Sequence, residues 1–302
     1  MIEQHLEGRS RHQLVGLFLG PLLAIAMVLA GAPEGLSESG WMTAAVGVLM
    51  AVWWATEAVP IAVTALLPIV VFPLLGIATI QDTTAPYANK VIYLFLGGFI
   101  VAFAMQRWNL HRRIALNVLQ HVGGNGRSLI GGFMLAAAII SMWVMNTSTT
   151  MMLLPIAVSI IGVIHSSVDG LDEKARLDFQ YALLLGVAYA ATIGGMATLV
   201  GTAPNALLAA FMQETYGIEI DFASWMLVGL PLSALMLPLA WLVLTRIAFR
   251  VDFRTSGEGK ATLRRLKEEL GPVTTPELRV AIVFTLMALT SVARPLLVKL
   301  PG

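Results

Sequence analysis

The stretch SMWVMNTSTTMMLLP, Ser141–Pro155, decides how this chain is folded. It lies in a run from Ser128 to Ile164 that carries no charge over 37 residues. A bilayer crossing takes about 20 apolar residues, so the run is too long for one straight helix. Its middle, Asn146–Thr150, is polar. Irregular backbone at membrane depth survives only where protein or a watery cavity covers it. Loop charge decides between one crossing and a hairpin. With the N-terminus, Arg9 and Arg11 in the cytoplasm, loops 34–39 and 78–90 fall outside, while Arg107, Arg112 and Arg113 fall inside. A single crossing at Ser128–Ile164 would put Arg246–Arg279, with eight Lys or Arg, outside. That violates the positive-inside rule. A re-entrant hairpin keeps the segment inside and makes sixteen of the nineteen Lys and Arg residues cytoplasmic. The hairpin, with its tip at Met145–Thr150, is the expectation.

Further charge-free runs cover Leu14–Pro33, Gly40–Thr56, Ala58–Ile80, Val91–Gln106, Phe179–Gln213, Phe222–Thr245 and Val280–Ala293. The run Phe179–Gln213, at 35 residues, is again too long for one crossing and is interrupted at Gly201–Asn205. The whole chain of 302 residues is 57% hydrophobic and 12% charged, with a mean hydropathy of +0.80. A soluble domain carries about 25% charged residues, so the fold class is an all-α polytopic membrane protein. A net charge of +1 offers no basic face for nucleic acid. The absence of cysteine excludes disulfides, thiolate metal sites and a cysteine nucleophile. The five histidines sit in or beside polar connectors, and no HExxH metal site or His–nucleophile pair is present, which argues against an enzyme. The run after Arg9 and Arg11 is as long as a full crossing, which favours a retained helix over a signal peptide. Val251–Pro276 reads as a solvated connector with a short helix.

No Lys, Arg or His lies inside a span, so a buried side-chain cation cannot hold an anion there. A helix N-terminus can, with about half a positive charge and unpaired N–H groups. The returning limb near Ser148–Thr150 and the second half of the broken helix near Pro204-Asn205 would aim such ends at the membrane midplane. The limbs ending there offer carbonyls that suit Na⁺, which is the logic of discontinuous transporter helices. Taken singly, Ser148, Thr149 and Thr150 read as packing or back-bonding hydroxyls. Asn146 reads as functional, because an amide inside an apolar run is expensive. Glu57, the only carboxylate within the apolar spans, lies three residues before Pro60 and reads as structural. Gly97-Gly98 and Gly194-Gly195 read as close-packing positions.

Five stretches, WWATEAVP (Trp53–Pro60), LGGF (Leu96–Phe99), LHRR (Leu110–Arg113), Ser141–Pro155 and IGGMATLVGTAPN (Ile193–Asn205), together resemble the divalent anion/sodium symporter family. The resemblance implies secondary active transport of di- and tricarboxylates such as succinate, or of a related divalent anion. It implies coupling to Na⁺, a homodimer and an elevator motion in the lipid bilayer, with a bacterial inner membrane as the location. The family is built from two inverted repeats, and this chain resembles the first plus one helix. A second repeat would then come from the full-length protein or a separate chain. The alternatives are a truncated, non-transporting fragment or scaffold, an anion exchanger, and a sulfate transporter of the same family.

On that resemblance the expected domains are scaffold helices at 1–127, a transport region at 128–213, a membrane helix at 214–247, a cytoplasmic connector at 248–279 and the start of a second repeat at 280–302. Matching motif positions imply that Asn146, Thr147 and Thr202 contact the anion. They imply that Ser141, Asn146 and Gly201 hold Na⁺. Met145 replaces the motif serine, so only its backbone carbonyl could contribute. Ala203 replaces the usual first proline. Glu57, Pro60 and Asn205 are expected to be structural.

Overall fold

The computed structural model describes residues 10–168, 171–253 and 258–297. Sequence expectations that involve Arg9, Arg254 or 298–302 fall outside the described residues. Their regular elements are helices, without a strand: α1 (Arg11–Ala30), α2 (Glu38–Thr56), α3 (Ile61–Ala65), α4 (Leu67–Leu74), α5 (Ile80–Thr84), α6 (Lys90–Arg107), α7 (Leu110–Gln120), α8 (Gly126–Ser141), α9 (Asn146–Ser167), α10 (Glu173–Gly195), α11 (Ala203–Tyr216), α12 (Phe222–Leu242), α13 (Glu258–Glu268) and α14 (Thr275–Leu297). Seven stretches of described helix are long and apolar enough to cross a bilayer. The chain is a multi-pass membrane protein. It divides into two units, Met1–Ile92 and Tyr93–Gly302.

In the first unit α1 and α2 pack antiparallel. Gly16 lies against Thr56 and Gly20 against Leu49 and Trp53, so a side chain at either glycine would force the helices apart. The Trp41 indole donates to the Met27 carbonyl at 2.7 Å near the connecting turn. Glu57 ends α2 with a left-handed backbone, φ 50°, and its N–H returns to the Trp53 and Trp54 carbonyls. Its side chain is exposed, so the residue acts through its backbone. The Pro60 carbonyl accepts the N–H groups of Val63 at 2.9 Å and Thr64 at 3.1 Å, starting α3.

The run Ala58–Ile80, read as one span, is divided into α3 and α4, of 5 and 8 residues. Pro68 has no N–H to continue the helical ladder, and the Ile69 N–H turns to Leu66 instead. The Tyr87 hydroxyl takes the Ala65 carbonyl at 2.6 Å. The region 78–90, read as a loop, contains α5 and a 3₁₀ turn at Ala85–Ala88.

In the second unit α8 and α9 form a helical hairpin around α10. Gly186 on α10 meets Ile130 and Met134, and Gly194 meets the Ala138 backbone. At the other end, Gly126 N–H donates to the Phe253 carbonyl at 3.1 Å, and the Phe253 ring sits 5.2 Å from that of Phe179. His165, near the end of α9, contacts the Arg176 carbonyl at 3.3 Å. Both open ends of the hairpin therefore lie beside the start of α10, and its tip lies beside the end. Phe133, Leu153, Ile160, Phe179 and Leu183, all 0% exposed, fill the space between.

The connector after α12 is less solvated than its composition suggests. Val251 and Leu263 are buried in the same core. Arg113 on α7 binds both carboxylate oxygens of Glu277 at 3.1 Å. The same guanidinium donates to the carbonyls of Gly271 at 3.0 Å, Pro272 at 3.2 Å and Leu270 at 3.4 Å. Glu277 also accepts the Thr274 N–H at 2.7 Å. Removing one member of a buried pair leaves an uncompensated charge, at a cost of about 3 kcal/mol or more. Glu277→Gln is therefore expected to lower the melting temperature in detergent. Arg113→Met should lower it further, because three carbonyls also lose a donor. A melting temperature equal to that of the unaltered protein for both would overturn this account.

Candidate functional site

The hairpin turn Met142–Met145 joins α8 to α9, and polar residues flank it, Ser141 before and Asn146–Thr150 after. Ser141, the last residue of α8, is fully buried. Its hydroxyl donates to Asn146 Oδ1 at 2.8 Å. The Asn146 amide in turn lies against Gly195, where any added Cβ would collide with it. Thr149 is buried, with its hydroxyl 3.5 Å from the Val144 carbonyl, and the Thr150 hydroxyl bonds back to the Asn146 carbonyl at 2.9 Å. These threonines serve the helix and the turn before it.

The second break, Met196–Thr202, separates α10 from α11 and meets this tip. Gly201 lies against the Gly195 carbonyl so closely that a side chain could not fit. The Asn205 amide donates to the carbonyls of Gly195 at 3.0 Å and Thr198 at 2.8 Å. From α12, the Ser233 hydroxyl takes the Ile193 carbonyl at 2.7 Å, and the Trp225 indole takes Met196 at 3.0 Å. Gly229 lets α12 approach, since a Cβ there would stand 2.6 Å from the Met196 carbonyl. Carbonyls at the end of α10 thus find donors within the protein.

The N–H side is treated differently. Asn125, Asp172 and Asp221 cap α8, α10 and α12 with their side chains. Helices α9 and α11 begin at Met145 and Thr202 without a side-chain cap. The two helix N-termini at the breaks thus lack a side-chain acceptor, although at α11 Pro204 has no N–H and that of Asn205 turns to the Thr202 carbonyl at 3.2 Å. Each carries about half a positive charge, and together they suit an anion.

Among the residues expected from the sequence, the structure brings Ser141, Asn146 and Gly201 together around Gly195. Thr147 is exposed at the tip and Thr202 half-buried, both at uncapped helix starts. The Met145 side chain is 44% exposed, and its carbonyl already accepts the Thr149 N–H at 3.0 Å. Met145 therefore offers a cation one remaining lone pair. The hydroxyl of Ser141 and the amide oxygen of Asn146 are neutral hard donors that fit Na⁺. Asn205 clamps the break, whereas Glu57 and Pro60 shape the first unit. Gly194 and Gly195 are close-packing positions, but Gly97 has nothing within 4 Å of an added Cβ and Gly98 only ordinary contacts with Val200.

His111, on the buried face of α7, holds the Met105 carbonyl through Nδ1 at 2.8 Å. Burial pushes its pKa below the usual histidine value, so it stays neutral and structural. Sequence reasoning missed Thr198, Trp225 and Ser233. Thr198 is fully buried and bonds to both breaks. Its only sequence signal is a hydroxyl three residues before Gly201. Trp143 in the hairpin turn was also passed over, and it stacks on Phe222 with ring centroids 5.6 Å apart.

The transmembrane region of sodium:sulfate symporters matches residues 11–294. The sodium-dependent dicarboxylate transporter SdcS of Staphylococcus saprophyticus subsp. saprophyticus is 40% identical over 288 residues, covering 95% of this chain and 56% of that protein. SdcS of Staphylococcus aureus (strain USA300) is 40% identical over 291 residues, with 96% and 56% covered. The chain spans about half the length of the curated relatives it matches.

The contact of Gly195 with Asn146 has a direct test. Gly195→Ala should displace the amide and lower the melting temperature by several degrees, an overpacking cost of about 1–3 kcal/mol. Gly162→Ala, in open space on α9, should be neutral or slightly stabilising. Equal melting temperatures for the two variants would show that the tip does not press on α10.

Proposed function

The chain belongs to the family of sodium:sulfate symporters, and on that premise we propose that it takes part in Na⁺-coupled secondary transport of dicarboxylates such as succinate. The meeting of two uncapped helix N-termini at a neutral, polar break supports this reading most strongly. The relatives' description as sodium-dependent dicarboxylate transporters supports both the cation and the substrate class. Asn146, Thr147 and Thr202 donate amide and hydroxyl hydrogen bonds to the anion. Ser141, Asn146 and Gly201, with the carbonyl of Met145, hold one cation beside it.

The cation offsets the repulsion between the two carboxylates and lowers the cost of desolvating them. Residues 128–213 form the moving transport region and 1–127 a scaffold, with 214–247 a following helix, 248–279 the cytoplasmic connector and 280–302 the start of a second repeat. The complete transporter is a homodimer in a bacterial inner membrane with its N-terminus in the cytoplasm. A second repeat supplies the other half of the site. The hairpin enters and returns without crossing, and it slides with the broken helix in an elevator motion. The shared core of α8, α9 and α10 supports movement as one body.

Loss of one hydrogen bond to a charged group costs roughly 1.5–3 kcal/mol, or about 10- to 150-fold in affinity. Asn146→Ala and Thr147→Ala should weaken succinate uptake by proteoliposomes of the complete protein by that order. Asn146→Ala should also flatten the Na⁺ dependence, and Met145→Ser should steepen it. If Asn146→Ala leaves both unchanged, the break is a packing feature and this assignment fails. Re-entrance has its own test. Single cysteines at positions 125 and 168 should react with an impermeant reagent from the same side of the membrane, and reaction from opposite sides would refute it.

A further inference from the structure

Several threonines inside helices of this protein bond back to their own helix. Thr150, Thr192 and Thr245 each donate to the carbonyl four residues earlier, the usual use of a hydroxyl in an apolar helix. Thr198 does not. It lies in the break between α10 and α11, is 0% exposed, and donates to the carbonyl of Met142, 56 residues away in the hairpin turn. The same oxygen accepts the Gly201 N–H at 3.1 Å. A hydroxyl has one proton and two lone pairs, so this one joins the two breaks through a donor and an acceptor at once. The Asn205 amide holds the Thr198 carbonyl from below while its other proton holds Gly195.

We propose that Thr198 is a positioning residue that fixes the hairpin tip against the broken helix. Through it the N-termini of α9 and α11 address one anion, and the Ser141–Asn146 corner stays in register with Gly195 and Gly201. Thr198 reaches neither ligand itself. Its hydroxyl keeps the Met142 carbonyl and the Gly201 N–H paired where water does not reach. Without it, both groups seek other partners and the two breaks drift independently. Cation and anion affinity then fall together, because each site draws on both breaks. The ligand part of this inference rests on the transport reading above, whereas the clamp rests on the hydrogen bonds alone.

Thr198→Val preserves shape and removes the hydroxyl, and Thr198→Ser restores it. Thr198→Ala gives the same comparison with less bulk should the valine not be accommodated. In proteoliposomes of the complete protein, Thr198→Val should raise the half-saturating concentrations of both succinate and Na⁺ by about ten-fold. The maximal rate should change little, and Thr198→Ser should restore both affinities. Hydrogen–deuterium exchange should quicken at 142–147 and at 199–203 together in the valine variant, with 180–190 unchanged and the serine variant like the parent. Unchanged affinities with a lower maximal rate, or faster exchange at 199–203 alone, would overturn the clamp. Absence of succinate uptake by the unaltered protein would instead sink the transport reading, and the exchange pattern would still decide the clamp.

Discussion

A helix that ends in a packed apolar interior strands its last carbonyls, and the second unit of this protein satisfies those of α10 from neighbouring elements. An unpaired carbonyl in an apolar medium costs several kcal/mol. Ile193, Gly195, Met196 and Thr198 avoid that cost through the Ser233 hydroxyl, the Asn205 amide and the Trp225 indole. Each donor imposes a condition on the fold. Helix α12 must approach at Gly229, α11 must start so that Asn205 folds back, and the hairpin tip must close over Gly194 and Gly195. The glycines are a consequence of this crowding. At Gly194 the obstacle is the Ala138 backbone, which cannot move aside as a flexible side chain would.

Acceptors at the end of α10 are consumed internally, while the starts of α9 and α11 receive no side-chain cap. Where helices begin away from the breaks, Asp172 and Asp221 place carboxylates at α10 and α12. A carboxylate at the tip would cancel the field of both helix termini. Neutral Asn146, Thr147 and Thr202 preserve it. For the proposed dicarboxylate, the two half-charges of this half of the site oppose two full negative charges. A cation at the proposed Ser141–Asn146 corner would add to them, which gives the proposed coupling an electrostatic reason.

The length of the charge-free runs made both breaks legible in the sequence, because 37 and 35 residues exceed one crossing and each run carried a polar interruption. That reading located Asn146 and Gly201, and the family resemblance added Ser141; the structure gathers all three around Gly195. Other features depend on tertiary geometry that no local pattern records. The split at Pro68 was hidden because apolar composition continues through it, and only the Tyr87 bond to Ala65 shows how the freed carbonyl is satisfied. Glu57 looked significant for its charge, yet its backbone turn at φ 50° is what shapes the chain. Thr198 was unreadable because its partner is 56 residues distant. Gly97 and Gly194 look alike in sequence, and only the fold shows that one faces open space and the other a backbone.

These contacts restrict how the site can move. The hairpin limbs and α10 share a core in which Phe133, Leu153, Ile160 and Leu183 are fully buried. Swinging either limb away from α10 would expose that core, and moving the tip with it would unpair the Met142 carbonyl from Thr198. Such losses add up to many kcal/mol, far more than binding one small anion returns. A hinge within the hairpin is therefore a poor gate. In the proposed transport, displacement of α8, α9, α10 and the start of α11 as one body would keep the Thr198 bonds and carry both helix N-termini together. The close packing around the two breaks thus favours the proposed movement of the intact site over opening it.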